Sequence, residues 1–334
     1  MQIFLPTRAG SIIKPFIQGL SLFIGGLVLS IIIGEMLLKI YNPLITGKLL
    51  EMTQFRLNEQ DLTKCFTLDP EFGFRPILGN NLYNRYGTKV NNYSIKKKPS
   101  ITRLLFIGDS VTARGKVIDA LRQLYGEEKF EYWNAGVESF NTVQEVNFYL
   151  RYNYRIKPDH VMLFFHINDF ETTPVAFLNK ESKLVVYAPY SPTIFINRWL
   201  FQNSYLYRLL YLTQFNLCYR KDSPSTKMNE RIIEQTEKSL RKLKAQLLKN
   251  NIKLTVVIIP IIDNYERWSM KEKESRVKIT NILNKLHIKY FDLSPMMDKV
   301  NFISDNLRKT SQDRWHPTND IADDFAKFLF EKKF

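Results

Sequence analysis

Cysteine and histidine are scarce in this chain of 334 residues, which holds two cysteines, Cys65 and Cys218, and four histidines. Two thiols cannot staple a disulfide-rich scaffold, and no Cys-x-x-Cys pair supplies zinc-ligand spacing. Four imidazoles are too few for a histidine-heavy metal centre. A Cys65–Cys218 bond in an oxidising compartment and a free Cys218 thiol both stay open. Also missing are a basic arm, a zinc-finger pattern and an RNA-binding signature. The excess of 48 Lys+Arg over 33 Asp+Glu, a formal charge of +15, therefore does not point to nucleic acid. It suits acidic glycans or anionic headgroups instead. Disorder is excluded by a hydrophobic content of 45% and an aromatic content of 13%. The length allows one large domain or two modest ones with a sizeable core.

Charge is absent from Pro15 to Gly34, where the chain reads PFIQGLSLFIGGLVLSIIIG. As a helix this stretch spans roughly 30 Å, the thickness of a bilayer's hydrocarbon core. A cleaved signal peptide and a buried core helix share that composition. No small-x-small cleavage site follows, and Glu35 and Lys39 close the run, so we read an anchor over 1–40 with its span at about 15–38. Arg8 and Lys14 precede the span while Lys39 and Lys48 follow it, so the positive-inside count nearly ties. The free amino terminus tips it toward an N-terminus inside. Gly26, Ser30 and Gly34 share one helix face, the spacing of a seam through which two copies would pair as a homodimer. Residues 41–100 read as a membrane-proximal stalk with a small module leading into the main domain. Within it, DPEFGFRPILGNN (69–81) is rich in turn formers. Lys96 to Lys98 form a solvated loop or a contact to anionic headgroups.

After Pro99 strand and helix signals alternate. Apolar runs at 103–107, 129–134, 161–167, 252–260 and 288–293 predict five buried strands. Helical patterns lie near 116–125 and 142–153, at 227–249, at 272–286 and at 318–331. In the third of these Met228, Ile232, Ile233, Leu240, Leu243 and Leu247 recur at spacings of three and four. Such alternation predicts a parallel sheet covered on both faces, with reactive groups at the carboxyl ends of its strands.

Three strand ends and one loop carry the candidate chemistry. The first strand runs into Gly108-Asp109-Ser110, where a small residue lets the chain turn and expose a hydroxyl; a helix cap by Asp109 or Ser110 is the bland alternative. The tripeptide arises by chance in roughly one chain in ten of this length, so alone it says little. The second strand ends in Asn134-Ala135-Gly136, where a glycine lets a backbone N–H approach a ligand. The third ends in His166-Ile167-Asn168-Asp169; its side-chain amide can face an oxyanion or close an Asx turn. Asp313-Arg314-Trp315-His316 precedes the last helix, and an acid three residues before a histidine can hold its Nδ1 while Nε2 faces a serine. No metal or other cofactor is needed by such a set.

These blocks resemble the SGNH (GDSL-type) hydrolases over roughly residues 101–334. IGDSVT (107–112), NAGVESFNT (134–142), HINDF (166–170) and DRWH (313–316) match the family's four blocks in order. The resemblance implies a flavodoxin-like three-layer α/β/α domain, with Ser110 as nucleophile, His316 as base and Asp313 as its orienting acid. It also implies an oxyanion hole from the Ser110 N–H, the Gly136 N–H and the Asn168 amide. One departure is His166, which stands where the asparagine block often opens with glycine; it either narrows the acyl pocket or packs beneath the loop. DPEFGFRP (69–76) after an apolar N-terminus is similar to bacterial members anchored in the cytoplasmic membrane. That likeness implies a catalytic domain on the outer, periplasmic side and a substrate among acylated envelope carbohydrates or lipids.

Residues 171–225 interrupt the alternation as an aromatic-rich insertion that includes Trp199, Tyr205, Tyr207 and Tyr211. It reads as a helix packed on the core, or as a lid or membrane-facing surface. Three functions compete on this evidence. The leading one is a serine esterase or deacetylase working through an acyl-enzyme. An O-acyltransferase using the same triad, and a non-catalytic glycan-binding or assembly protein, are the alternatives.

Overall fold

Strands that are apolar on both sides need helices over both faces, and the chain is arranged to supply them. The structure is a computed structural model that describes residues 10–41, 62–179, 182–187, 196–219, 230–299 and 313–333. In chain order, helix α1 (Gly10–Tyr41) is followed by a hairpin of β1 (Phe66–Asp69) and β2 (Gly73–Pro76). Then come β3 (Thr102–Gly108), α2 (Ser110–Arg114), α3 (Lys116–Tyr125), β4 (Phe130–Asn134), α4 (Thr142–Arg151) and β5 (His160–His166). A second hairpin, β6 (Val175–Leu178) with β7 (Leu184–Tyr187), leads to α5 (Arg198–Asn203) and α6 (Tyr205–Tyr219). The chain continues with α7 (Glu230–Lys249), β8 (Lys253–Ile259), α8 (Met270–Lys285), β9 (Lys289–Asp292) and α9 (Asn319–Glu331).

The central sheet has five strands in the order β4-β3-β5-β8-β9, all parallel. Numbering only these strands along the chain, the order is 2-1-3-4-5, a doubly wound sheet whose connections reverse beside β3. Parity sorts the core into two layers. Leu105, Ile107, Leu163, Phe165, Val256 and Ile258 face α4, α7 and α8. Leu104, Phe106, Met162, Phe164, Val257 and Ile259 face α3 and α9. All five strands expected from the sequence are present, as are the helices, within a few residues at each end. Residues 227–229, including Met228, lie outside the described residues.

Residues 62–100 are packed onto the sheet domain. Phe72, Phe74 and Tyr83 are buried with Val137, Phe140 and Phe148. The Tyr83 hydroxyl donates to the Gly136 carbonyl at 3.1 Å. Lys97 is ion-paired to Asp159, so part of the basic run is a clasp. Arg103 is 1% exposed and ties the same segment down, donating to Glu131 at 2.6 Å and to the carbonyls of Ser94 and Ile95. The segment 42–61 of the expected stalk lies outside the described residues. Cys65 carries a free thiol, while the Cys218 side chain lies outside the described residues.

Within α1, Phe16–Tyr41 is long and apolar enough to cross a membrane, a test that anchors and signal sequences both pass. The Ser30 hydroxyl donates back to the Gly26 carbonyl at 2.8 Å, inside the helix.

Candidate active site

The end of β3 turns within one residue. A Cβ on Gly108 would stand 2.1 Å from Thr112 Oγ1 and 2.8 Å from the Phe164 carbonyl, so only glycine fits. Asp109 caps α2, its Oδ1 accepting the Val111 N–H at 2.9 Å. The cap is therefore the aspartate, and the Ser110 hydroxyl is left for another partner. As the first residue of α2, Ser110 also offers a backbone N–H that has no acceptor within the helix.

His316 is the partner. Its Nε2 lies 2.9 Å from Ser110 Oγ. Its Nδ1 lies 2.9 and 3.0 Å from the two oxygens of Asp313, whose Oδ1 also accepts the N–H groups of Trp315 and His316. A carboxylate can only accept, so Nδ1 carries the proton and Nε2 is bare toward the serine. Between them, Arg314 turns away to Asp263 at 3.1 Å and Glu272 at 3.3 Å, pinning the loop. Burial lowers the His316 pKa and the Arg114 charge lowers it further, against the opposing pull of Asp313. For Asp313, burial is outweighed by the bonds from His316 and the two N–H groups, and its carboxyl titrates below the ordinary range.

Asn168 follows β5 in a single turn of 3-10 helix, Ile167–Phe170. Its amide nitrogen donates to Asp109 Oδ2 at 3.0 Å, and its oxygen lies 2.8 Å from His166 Nδ1. Because Asp109 accepts, the NH2 end must face it and the oxygen must face His166. One hydrogen of that NH2 remains for the cavity. His166 is fully buried, with its ring edge-on to Trp315 at 5.2 Å, so it packs beneath the loop and orients the amide. Burial lowers its pKa, which keeps the ring neutral. Below it, Asp169 Oδ2 accepts the His166 N–H at 3.1 Å and the Thr142 hydroxyl at 3.2 Å. Desolvation raises the carboxyls of Asp169 and Glu145 well above their ordinary range, and the nearby Asp109 charge adds to both.

Gly136 is packed under α2, at Thr112 and Ala113, and is not among the residues that line the cavity over Ser110. A Cβ there would stand 2.2 Å from the Ala113 nitrogen and 2.6 Å from the Thr112 carbonyl carbon. The residue must be glycine because α2 crosses directly over it. Its N–H donates to Asn134 Oδ1 at 2.9 Å, and Asn134 Nδ2 in turn holds the Thr112 carbonyl at 2.8 Å. Of the three expected oxyanion donors, the Ser110 N–H heads α2 and the Asn168 amide lines the cavity with one hydrogen held by Asp109, while the Gly136 N–H is spent on Asn134.

A cavity of about 220 Å³ opens over Ser110, His316 and Asn168. Its walls include residues not singled out from the sequence. Ser139 and Phe140 come from the loop after β4, and Ser139 has a left-handed backbone at φ 61°. Asn141 caps α4 and donates to the Glu171 carbonyl. Thr172, Pro174 and Val186 bring the β6–β7 insertion into the wall, and Trp315 closes it beside His316. Ser139 had no sequence signal, since its conformation is imposed by the turn. Among the described residues no group of three or more acidic, histidine or cysteine side chains is spaced to hold a metal ion.

No protein-family profile matches the chain, and no curated protein matches it. Solved structures do. Axe2, an acetylxylan esterase from Geobacillus stearothermophilus, aligns at 16% identity and a TM-score of 0.44, over 71% of this chain and 97% of its own. The acetyl xylan esterase AlAXEase aligns at 14% and 0.43, over 70% and 100%. LAE5, an alpha/beta hydrolase enzyme from the metagenome of Lake Arreo, Spain, aligns at 16% and 0.44, over 70% and 95%. At such identity and score these likenesses carry no chemistry to this chain, whose site has to be read from its own side chains.

Proposed function

We propose that this protein is a serine-dependent ester hydrolase of the SGNH type, held at a membrane by α1 and acting on short acyl esters of an envelope carbohydrate. The observation that carries the reading is the unbroken relay Ser110 Oγ–His316 Nε2, His316 Nδ1–Asp313, at 2.9 Å for each link. Ser110 Oγ attacks the ester carbonyl as His316 Nε2 takes its proton. The C–O bond to the sugar then breaks, and His316 returns the proton to the leaving alkoxide. Water attacks the acyl-enzyme by the same path, releasing the acid and restoring Ser110. The Ser110 N–H and the free Asn168 hydrogen face the developing oxyanion, each such donor being worth about 2.7–4 kcal/mol. A cavity of about 220 Å³ has room for an acetyl group. Trp315, 37% exposed, offers a flat face to a sugar ring, with Ser139 and Thr172 for its hydroxyls.

Covalent labelling of the detergent-solubilised full chain with a fluorophosphonate tests this. Wild type is expected to label, and Ser110→Ala and His316→Ala are not. Failure of folded wild type to label, or equal labelling of Ser110→Ala, overturns the reading.

The pH profile supplies a second test. The working His316 is neutral, so a lowered pKa puts the acid limb of kcat/KM below pH ~6.5, the ordinary imidazole value. Removing a nearby cation raises the imidazole's pKa. Arg114→Gln is therefore expected to move the acid limb to higher pH while leaving the plateau nearly unchanged. An unmoved limb would overturn the assignment of that limb to a His316 under the Arg114 charge.

A further inference from the structure

The apolar helix α1 and the insertion helices α5 and α6 are joined by an unusual contact. From Phe16 to Ile33 the large apolar side chains of α1 are exposed, many of them about half or more, with Phe16 at 71% and Leu22 at 78%. Such a surface needs a lipid cover. The first acid after that run is Glu35, in the last two turns of the apolar helix, with Met36, Leu37, Ile40 and Tyr41 still exposed beyond it. Its carboxylate is fully engaged with the start of α6. Oε1 accepts the Tyr205 N–H at 2.6 Å, and Oε2 accepts the Leu206 N–H at 3.0 Å and the Ser204 hydroxyl at 2.9 Å. A carboxylate at a helix start satisfies donors the helix cannot, and it complements the dipole. Here that carboxylate comes from 169 to 171 residues away.

The join is stiff on the far side as well. Phe201 of α5 is wholly buried with Val175, Phe177, Tyr211 and Leu212. Gln202 donates to the carbonyls of Asp69 and Gly73 at 3.0 and 2.9 Å. Two large apolar side chains of the pair stay exposed, Trp199 at 59% and Leu210 at 60%. Trp199 stands one helical turn and a cap residue from Ser204, on the order of 10 Å from the Glu35 level. Tryptophan at that level is characteristic of the headgroup layer, where its ring is buried and its N–H stays wet.

We propose that the outer face of α5–α6, carrying Trp199 and Leu210, is seated in the headgroup layer of the bilayer that α1 spans, with Glu35 as the joint that sets its depth. This rests on the reading of α1 as a membrane span. The occupant of the face is the phospholipid surface, because α6 starts on Glu35 and packs against α1, the helix whose exposed apolar side chains need lipid. Since β6–β7 packs on α5 and forms part of the cavity wall, the joint also fixes how far the cavity stands from the membrane.

The test uses the full chain in phosphatidylcholine vesicles, with and without lipids brominated near the headgroup end of the acyl chain. The emission assigned to Trp199 is the difference between wild type and Trp199→Phe, both first shown to float with vesicles and to share one thermal midpoint. Most of that emission is expected to be lost with brominated lipid. In Glu35→Ala, flotation is expected to persist while the Trp199 quenching falls. Wild type that does not float sinks the membrane-span reading and this proposal with it. Flotation with Trp199 emission untouched by bromine overturns the proposal alone. Quenching unchanged in Glu35→Ala overturns the role of Glu35 as the joint.

Discussion

Ser110→Ala is expected to lower the turnover of 4-nitrophenyl acetate by about a million-fold, and His316→Ala by nearly as much, with the double variant no worse than either. On the proposed mechanism the two side chains act as one device. The hydroxyl is a poor nucleophile until Nε2, at 2.9 Å, accepts its proton, and that nitrogen has nothing to accept without the hydroxyl. Once either is gone, the other contributes nothing further, so the losses do not multiply. Asp313→Ala is expected to lose less, about ten-thousand-fold, because it removes the orientation and tautomer of the ring but leaves the base. What remains should come from the Ser110 N–H and the Asn168 amide. Steady-state kinetics on wild type and the four variants decides the matter. Losses that multiply in the double variant would mean that the two residues act separately, and full activity in Ser110→Ala would mean that the nucleophile lies elsewhere.

Gly136→Ala is expected to destabilise the fold by about 3 kcal/mol or more, lowering Tm by roughly 6–12 °C. The added carbon would lie 2.2 Å from Ala113 N and 2.7 Å from Ala113 Cα, which are backbone atoms with no rotamer to move into. Either α2 shifts, taking Ser110 with it, or Gly136 shifts and releases the bonds that its N–H and carbonyl make to Asn134 and Tyr83. Activity should fall with stability. Gly126→Ala is the control. At φ 70° and ψ −179° it sits in a backbone region open essentially to glycine alone, but with nothing within 4 Å of its Cβ, so it should cost only backbone strain, about 1–3 kcal/mol. Thermal unfolding of the two variants side by side tests the difference, and a Gly136→Ala midpoint equal to wild type would refute the close-approach argument.

The sheet was legible because its strands are buried on both faces and read as uninterrupted apolar runs. The helices were legible because Ile232, Ile233, Leu240, Leu243 and Leu247 repeat at the helical period. Asp313 and His316 were legible for a similar reason: three residues on one turn bring them together whatever the rest of the chain does. Less of the cavity could be read. Ser139 adopts its left-handed conformation, and Thr172, Pro174 and Val186 reach the wall, only through the loop and hairpin packed around them. Gly136 was recognised as special, but what makes it obligatory is a helix crossing above it. His166 was left between two roles that local pattern cannot separate. Its contacts with Asn168 and Trp315 place it under the loop.

The division follows from the range of the interactions. The sequence by itself determined what depends on neighbours along the chain: the apolar stretch of α1, the strand and helix periods, the caps, and the identity of the residues at each strand end. Tertiary structure decided what depends on distant segments. It brought Ser110 and His316 together across 206 positions, turned the Asn168 amide toward the serine through Asp109 and His166, and locked Glu35 onto α6. A lone glutamate at the end of an apolar run looks like a boundary marker, because the donors that satisfy it belong to a helix that reaches it only after the chain has folded.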